Sequence, residues 1–214
     1  MPLYKKIHVT PTIVVYIWKI EESEMELSKG IELTKHCQIR MEGMKSEMHR
    51  RGFLSIRHLL AKAGYEDKDL YYNGDGKPHL NDGCHISITH SHQFTGIIVS
   101  SSTEVGIDIE MQREKITRIA HKFTPIEAYS HIKDNHQLVR KFTIVWGCKE
   151  SLFKIYATQG LSFFRHIHIN DFSFSDTNIY GKIVYQGDTS YYDLSYLEFE
   201  EFTCVYALRL AESP

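Results

Sequence analysis

The chain has 214 residues, 42% of them hydrophobic, enough for one globular domain or two small lobes sharing a core. Its formal net charge is −2 with acidic and basic residues intermixed, which excludes a sequence-independent nucleic-acid binder. Cys37, Cys84, Cys148 and Cys204 are widely separated and form no CxxC pair, so neither a disulfide framework nor a zinc ribbon is expected and a reducing cytoplasm is the default setting. The apolar run Ile13 to Trp18 is too short to cross a bilayer and lacks the charged opening of a signal peptide.

In chain order, Thr12 to Trp18 reads as a strand and Glu21 to Lys35 as a short polar helix. Lys45 to Ala63 is a stronger helix, because Met48, Phe53, Ile56, Leu59 and Leu60 recur at helical spacing and Gly64 supplies a stop. Asn73-Gly74-Asp75-Gly76 is a turn before Lys77-Pro78. His85 to His90 and Thr95 to Ser100 read as strands, followed by a third from Val105 to Glu110. Thr124-Pro125-Ile126-Glu127 has the form of a capped helix start. Leu138 to Tyr156 is the strongest helix, with Gly160 past its end, and the tail from Arg165 reads as three or four strands. The fold class is α+β, with two similar lobes expected over residues 1–104 and 105–214.

The strand Val105-Gly106-Ile107-Asp108-Ile109-Glu110 carries the first chemical signal. Residues two apart on a strand share a face, so Asp108 and Glu110 point one way while Val105, Ile107 and Ile109 point the other. A third carboxylate, Glu150, lies one helical turn beyond Trp146 and one turn before Lys154, beside the apolar stripe of its helix. Two unit charges about 4 Å apart repel by about 1 kcal/mol in water and about 4 kcal/mol at an effective dielectric of 20. If this strand and helix pack together, the cluster needs a cation, and oxygen-only donors suit Mg²⁺ better than zinc. On spacing alone, the strand pair serves equally well as the solvent face of an edge strand, and Glu150 with Lys154 as an ordinary surface pair.

Other groups are weaker signals. Arg50, Arg51 and Arg57 share the first strong helix and have the fork geometry that binds phosphate, or they form a solvated face. Lys77 stands in a rigid turn. His90 ends a strand beside Thr89 and Ser91, where an imidazole can donate to phosphate. Zinc held by His85, His90 and His92 is disfavoured, since strand alternation sets His85 opposite the other two. His166 and His168 are read as structural. His121, Lys122 and Lys141 are either a basic patch for an acidic partner or plain surface.

Taken in order, Gly76-Lys77-Pro78, Ile86-Ser87-Ile88-Thr89-His90-Ser91, Val105 to Glu110, and Trp146-x-x-Lys149-Glu150-Ser151-x-x-Lys154 resemble the 4′-phosphopantetheinyl transferases. The length is similar to the two-lobe, surfactin-synthetase-activating type. The motifs cover roughly residues 45 to 165. The resemblance implies two α/β lobes related by a pseudo-twofold axis with the site in the cleft between them, and a monomer. It implies coenzyme A as donor, an apo acyl or peptidyl carrier protein as acceptor, and Mg²⁺, with Mn²⁺ as a substitute, held by Asp108, Glu110 and Glu150. Glu150 would be the general base, with Asp108 and Lys154 also catalytic. Lys154 and His90 would meet the pyrophosphate, Thr89 would stand where the family often has Ser, Lys77 would lie by the nucleotide, and Arg50, Arg51 or Arg57 would meet the 3′-phosphate. Two alternatives stay open: a catalytically silent coenzyme A or carrier-protein binding module, and a histidine-rich zinc hydrolase.

Overall fold

The structure is a computed structural model, and it describes residues 3–212. The chain divides into two compact units, Met1–Ser102 and Thr103–Pro214.

The first unit is built on an antiparallel sheet of β1 (Leu3–Thr10), β2 (Ile13–Lys19), β5 (His85–Ser91) and β6 (Phe94–Ser100), in the order β1-β2-β6-β5. A small hairpin of β3 (Leu70–Tyr72) and β4 (Pro78–Leu80) stands apart from it. Of the helices α1 (Glu24–Ser28), α2 (Lys35–Glu42) and α3 (Glu47–Ala63), α3 lies on β2 and β6, and its Leu54, Leu59 and Leu60 pack with Trp18, Leu27 and Ile97. Full burial of each such side chain contributes roughly 1.5–3 kcal/mol. Gly64, in the left-handed region at φ 92°, ends α3 as expected. Ser55 Oγ and Thr95 Oγ1, 2.8 Å apart, add a buried tie between α3 and β6.

One reading of this unit is corrected, and one strand went unread. The helix expected over Glu21 to Lys35 is only α1, started by a capping box between Ser23 and Glu26. The chain turns at Gly30, and Thr34 then caps the separate helix α2 by accepting from the Cys37 N–H. The polar strand β1 gave no periodic signal because it has no fully buried residue and pairs with β2 alone.

The second unit has a five-stranded antiparallel sheet in the order β7-β11-β10-β9-β8, formed by β7 (Val105–Met111), β8 (Ile167–Ile169), β9 (Ile179–Tyr185), β10 (Asp188–Phe199) and β11 (Phe202–Arg209). The short α4 (Lys115–Ile119) precedes α5 (Asn135–Tyr156), which lies across β7 and β11. Asp134 caps α5 by accepting from the Gln137 N–H, and Ala157 ends it in the left-handed region. Phe142, Val145, Leu152, Tyr192 and Val205 are among the residues of the core beneath it.

The helix start expected at Thr124 is a single 3₁₀ turn, Ile126–Tyr129. Pro125 is extended there (ψ 105°), and the Thr124 hydroxyl is 3.1 Å from the Tyr129 hydroxyl instead of capping a backbone N–H. All four cysteines are free, and no helix of the described residues is long and apolar enough to cross a membrane.

Candidate active site

The carboxylate question is decided by what covers β7. This strand is at the edge of its sheet, yet Asp108 is only 5% exposed. The face bearing Asp108 and Glu110 is roofed by α5, not open to solvent. Gly106 on the same face makes this possible: a Cβ there would lie 2.0 Å from the Ser151 carbonyl oxygen. Ser151 Oγ in turn donates to the Val205 carbonyl at 3.2 Å, fastening α5 to β11.

This close approach brings four charged groups of the sequence motifs together. Lys154 Nζ donates at 2.8 Å to Asp108 Oδ1 and at 2.8 Å to the Ile107 carbonyl. Glu150 and Lys154 are therefore not a plain surface pair, since the ammonium turns inward to β7. Glu150 is half-buried, and burial followed by the Asp108 and Glu110 charges pushes its carboxyl up to about 7, against the pull of Lys154. Glu110 is raised by the same two causes, burial first and then Asp108. The Trp146 indole opposes that rise by donating from Nε1 to Glu110 Oε1 at 3.1 Å.

The cluster has three carboxylates and the Lys154 ammonium. Among the described residues no three His, Cys, Asp or Glu side chains are drawn into a closed metal-ligand set. The donor chemistry nonetheless fits a hard divalent cation: every available donor is a carboxylate oxygen, and burial together with the neighbouring carboxylates disfavours the bare negative charge that a dication would neutralise. Zinc from His85, His90 and His92 finds no assembled site among the described residues.

In the first unit, His90 closes β5 and its ring lies over Gly52 of α3, where a Cβ would be 2.8 Å from Nε2. Nε2 is also 3.0 Å from the His92 carbonyl, and desolvation lowers the imidazole pKa despite that contact. Thr89 is buried in β5 and Lys77 stands just before β4, in a turn closed by Asn73 Oδ1 accepting from the Lys77 N–H at 2.9 Å. The three arginines diverge. Arg50 Nε grips the Glu24 carboxylate at 2.9 Å to both oxygens, and Arg51 is half-buried beside Gly52 with a buried Nε that makes no hydrogen bond. Arg57 is sealed inside: its Nε donates to Asp67 at 2.8 Å, and its guanidinium carbon stands 3.4 Å from the centre of the Phe53 ring. Arg57 holds the first unit together from within.

Two roles were not foreseen. The Trp146 indole is a hydrogen-bond donor to Glu110, legible only as a Trp one turn before Glu150. Lys141 and Lys149 are both buried, each 4% exposed, so Lys141 is not part of a basic surface. His121 and Lys122 are exposed. His166, just before β8, accepts the Ser162 N–H at Nδ1 at 2.8 Å, a local structural contact.

A strand turns two carboxylates under a helix that bears a third carboxylate and a lysine. Comparison with known proteins gives the class. A model of the 4′-phosphopantetheinyl transferase superfamily matches residues 104–207, which lie within the second unit. The chain is also 31% identical over 151 residues to a Bacillus subtilis protein described as a 4′-phosphopantetheinyl transferase, a match covering 66% of this chain and 66% of that protein. The chain belongs to the 4′-phosphopantetheinyl transferase superfamily and is an enzyme of the transferase class.

Proposed function

We propose that the chain moves the 4′-phosphopantetheine arm of coenzyme A to a serine hydroxyl of an apo acyl or peptidyl carrier protein, with Mg²⁺ as the cation. The observation that carries this reading is the Asp108–Lys154 pair with Glu110 and Glu150 gathered around it. Asp108, Glu110 and Glu150 would hold the ion. When bound, it would supply charge neutralisation at the pyrophosphate oxygens.

The remaining steps belong to the chain's own residues. The serine oxygen forms a bond to the phosphorus that bears the pantetheine arm. The bond from that phosphorus to the bridging oxygen breaks, and adenosine 3′,5′-bisphosphate leaves with the electron pair. Glu150 accepts the serine proton directly or through a water. Lys154 stabilises charge growing on the phosphate oxygens. In the first unit we assign His90 to the pyrophosphate, Lys77 and Thr89 to the nucleotide side, and Arg51, before Arg50, to the 3′-phosphate. Arg51 is preferred because Arg50 is engaged with Glu24 and Arg57 with Asp67. The proposal includes a monomer acting in the cytoplasm, its two units being related lobes that each set a long helix on an antiparallel sheet.

The test is intact-protein mass spectrometry of an apo carrier protein incubated with this chain, coenzyme A and Mg²⁺, beside a metal-free control. One added phosphopantetheine arm, seen only with metal, is the expected result. Coenzyme A binding without any mass gain across several carrier proteins would favour the silent binding module instead. Activity that needs zinc and survives Glu150→Gln would favour the hydrolase.

A further inference from the structure

The segment after α5 has an unusual anchorage. Lys149, adjacent to Glu150 but pointing elsewhere, donates from its buried Nζ to the Phe163 carbonyl at 2.7 Å and to the Ile167 carbonyl at 2.5 Å. A buried ammonium costs several kcal/mol in desolvation unless its donors are used, so these two bonds are strongly favoured over no bond. The segment is also held by Leu161 and Ile167 in the core and by the pairing of Ile167 with Ile183, but packing around Phe164 is open. A cavity of about 280 Å³ is lined by Lys149, Phe164, Ile167 and His168, and Phe164 is exposed. Two helical turns earlier, Lys141 donates in the same manner to the Phe172 carbonyl.

What the segment delivers is the Phe163 ring. Its centre is 5.2 Å from that of Trp146 and 5.2 Å from that of Phe153. The indole also meets Phe123, at 5.1 Å between centres. Contact with two rings restricts how far the indole can rotate, which favours keeping its Nε1–H on Glu110 Oε1. A carboxylate oriented by a fixed donor is a prepared ligand.

We propose that Phe163 is a positioning residue for the Glu110 carboxylate, acting through Trp146 and held at its post by the Lys149 ammonium. This rests on the reading of Glu110 as a magnesium ligand in the transfer reaction. Phe163 touches no substrate in this scheme. Its removal loosens the indole, and Glu110 loses its orienting donor.

The experiment uses the full chain labelled with ¹⁵N at its two tryptophans, Trp18 and Trp146, with Trp146→Phe identifying the indole signal. Indole N–H exchange with solvent is measured without metal for the parent, Phe163→Ala, Phe163→Leu and Lys149→Met. Mn²⁺ binding is then measured by electron paramagnetic resonance, and transfer is titrated with Mg²⁺. Expected for Phe163→Ala and Lys149→Met are faster Trp146 exchange and metal affinity weakened about 10–100-fold, as for other residues that orient a metal ligand. Transfer should recover at saturating Mg²⁺, and Phe163→Leu should restore most of the affinity. Unchanged indole exchange or unchanged Mn²⁺ affinity in folded Phe163→Ala or Lys149→Met would overturn the proposal. A failure of the transfer reading looks different: the parent would not modify any carrier protein, while Phe163→Ala still freed the indole and weakened Mn²⁺.

Discussion

Each unit buries an ion pair, and the two pairs are built for different ends. In the first unit, Arg57 and Asp67 have side chains only 3% and 1% exposed. Every group around them is complementary: Asp67 Oδ2 also accepts the Thr34 N–H and hydroxyl, and Arg57 reaches the Phe53 carbonyl and Cys37 Sγ. Burial pushes the Asp67 carboxyl up, but the Thr34 N–H and Arg57 outweigh it and hold it below the ordinary value. In the second unit, Lys154 is 27% exposed against 7% for Asp108, and two more carboxylates crowd the pair. A satisfied, sealed pair stabilises the fold. A pair crowded by two further carboxylates and left partly open is maintained at a cost in stability, which accords with the proposed cation site.

The largest effect should come from the open cluster. Glu150→Gln removes the proposed base and a carboxylate donor while preserving shape, so transfer followed by mass spectrometry should fall by about 10²–10⁴-fold with the folded spectrum unchanged. Transfer at the parent rate would end the assignment of Glu150 as base. The sealed pair should behave in the opposite way. Asp67→Asn leaves the Arg57 charge buried without its counter-charge and should destabilise the protein by about 3–5 kcal/mol in urea unfolding. The molecules that remain folded should transfer at close to the parent rate. Equal loss of catalytic rate in Asp67→Asn would erase the distinction between the two pairs.

A third change probes why the open cluster exists at all. Gly106→Ala sets a methyl against backbone at the Ser151 carbonyl, so α5 must move off β7. Overpacking of this kind costs about 1–3 kcal/mol. Because α5 carries Glu150 and Lys154, activity should fall by more than the lost stability explains. Calorimetry beside a transfer assay separates the two, and a loss of stability with full activity would mean the cluster tolerates the displacement.

Which parts of this were legible in the sequence follows from what each signal depends on. The strand at Val105 and the helix through Tyr156 were readable because both are strongly periodic, and the carboxylates and Lys154 came with them. The covering of an edge strand by α5 was not, since it depends on Gly106 meeting Ser151 forty-five residues away. Arg57 was read beside Arg50 and Arg51 as a phosphate ligand because helix position says nothing about an Asp67 folded back onto it. At Thr124 a sound capping pattern lost to another local contact, the hydroxyl being drawn to Tyr129 five residues on. Lys141 was read as possible surface because lysine in a helix usually is, and only packing shows it buried.

The smallest expected effect is in stability against pH, and it measures what burial and the neighbouring carboxylates together cost the ionised Glu150. In the metal-free protein the Glu150 carboxyl is raised from 4.5 to about 7, with burial the first cause and Asp108 the second. The folded state therefore holds the Glu150 proton more tightly than the unfolded chain does. Below about pH 4.5 both states are protonated and the group has no differential effect. Between about pH 4.5 and 7 the unfolded chain gives up its proton while the folded protein keeps it, so stability falls as pH rises; above about 7 the deficit is constant. Allowing for the partial exposure of Glu150, the deficit should be on the order of 1–2 kcal/mol. Glu150→Gln cannot titrate, so urea unfolding in a chelating buffer should show it gaining on the parent by that amount between pH 5 and 8. Mg²⁺ should shrink the same gap by stabilising the parent at pH 8. A gap that does not change with pH would mean that the three carboxylates do not oppose one another, and the contrast with the sealed Arg57–Asp67 pair would lose its physical basis.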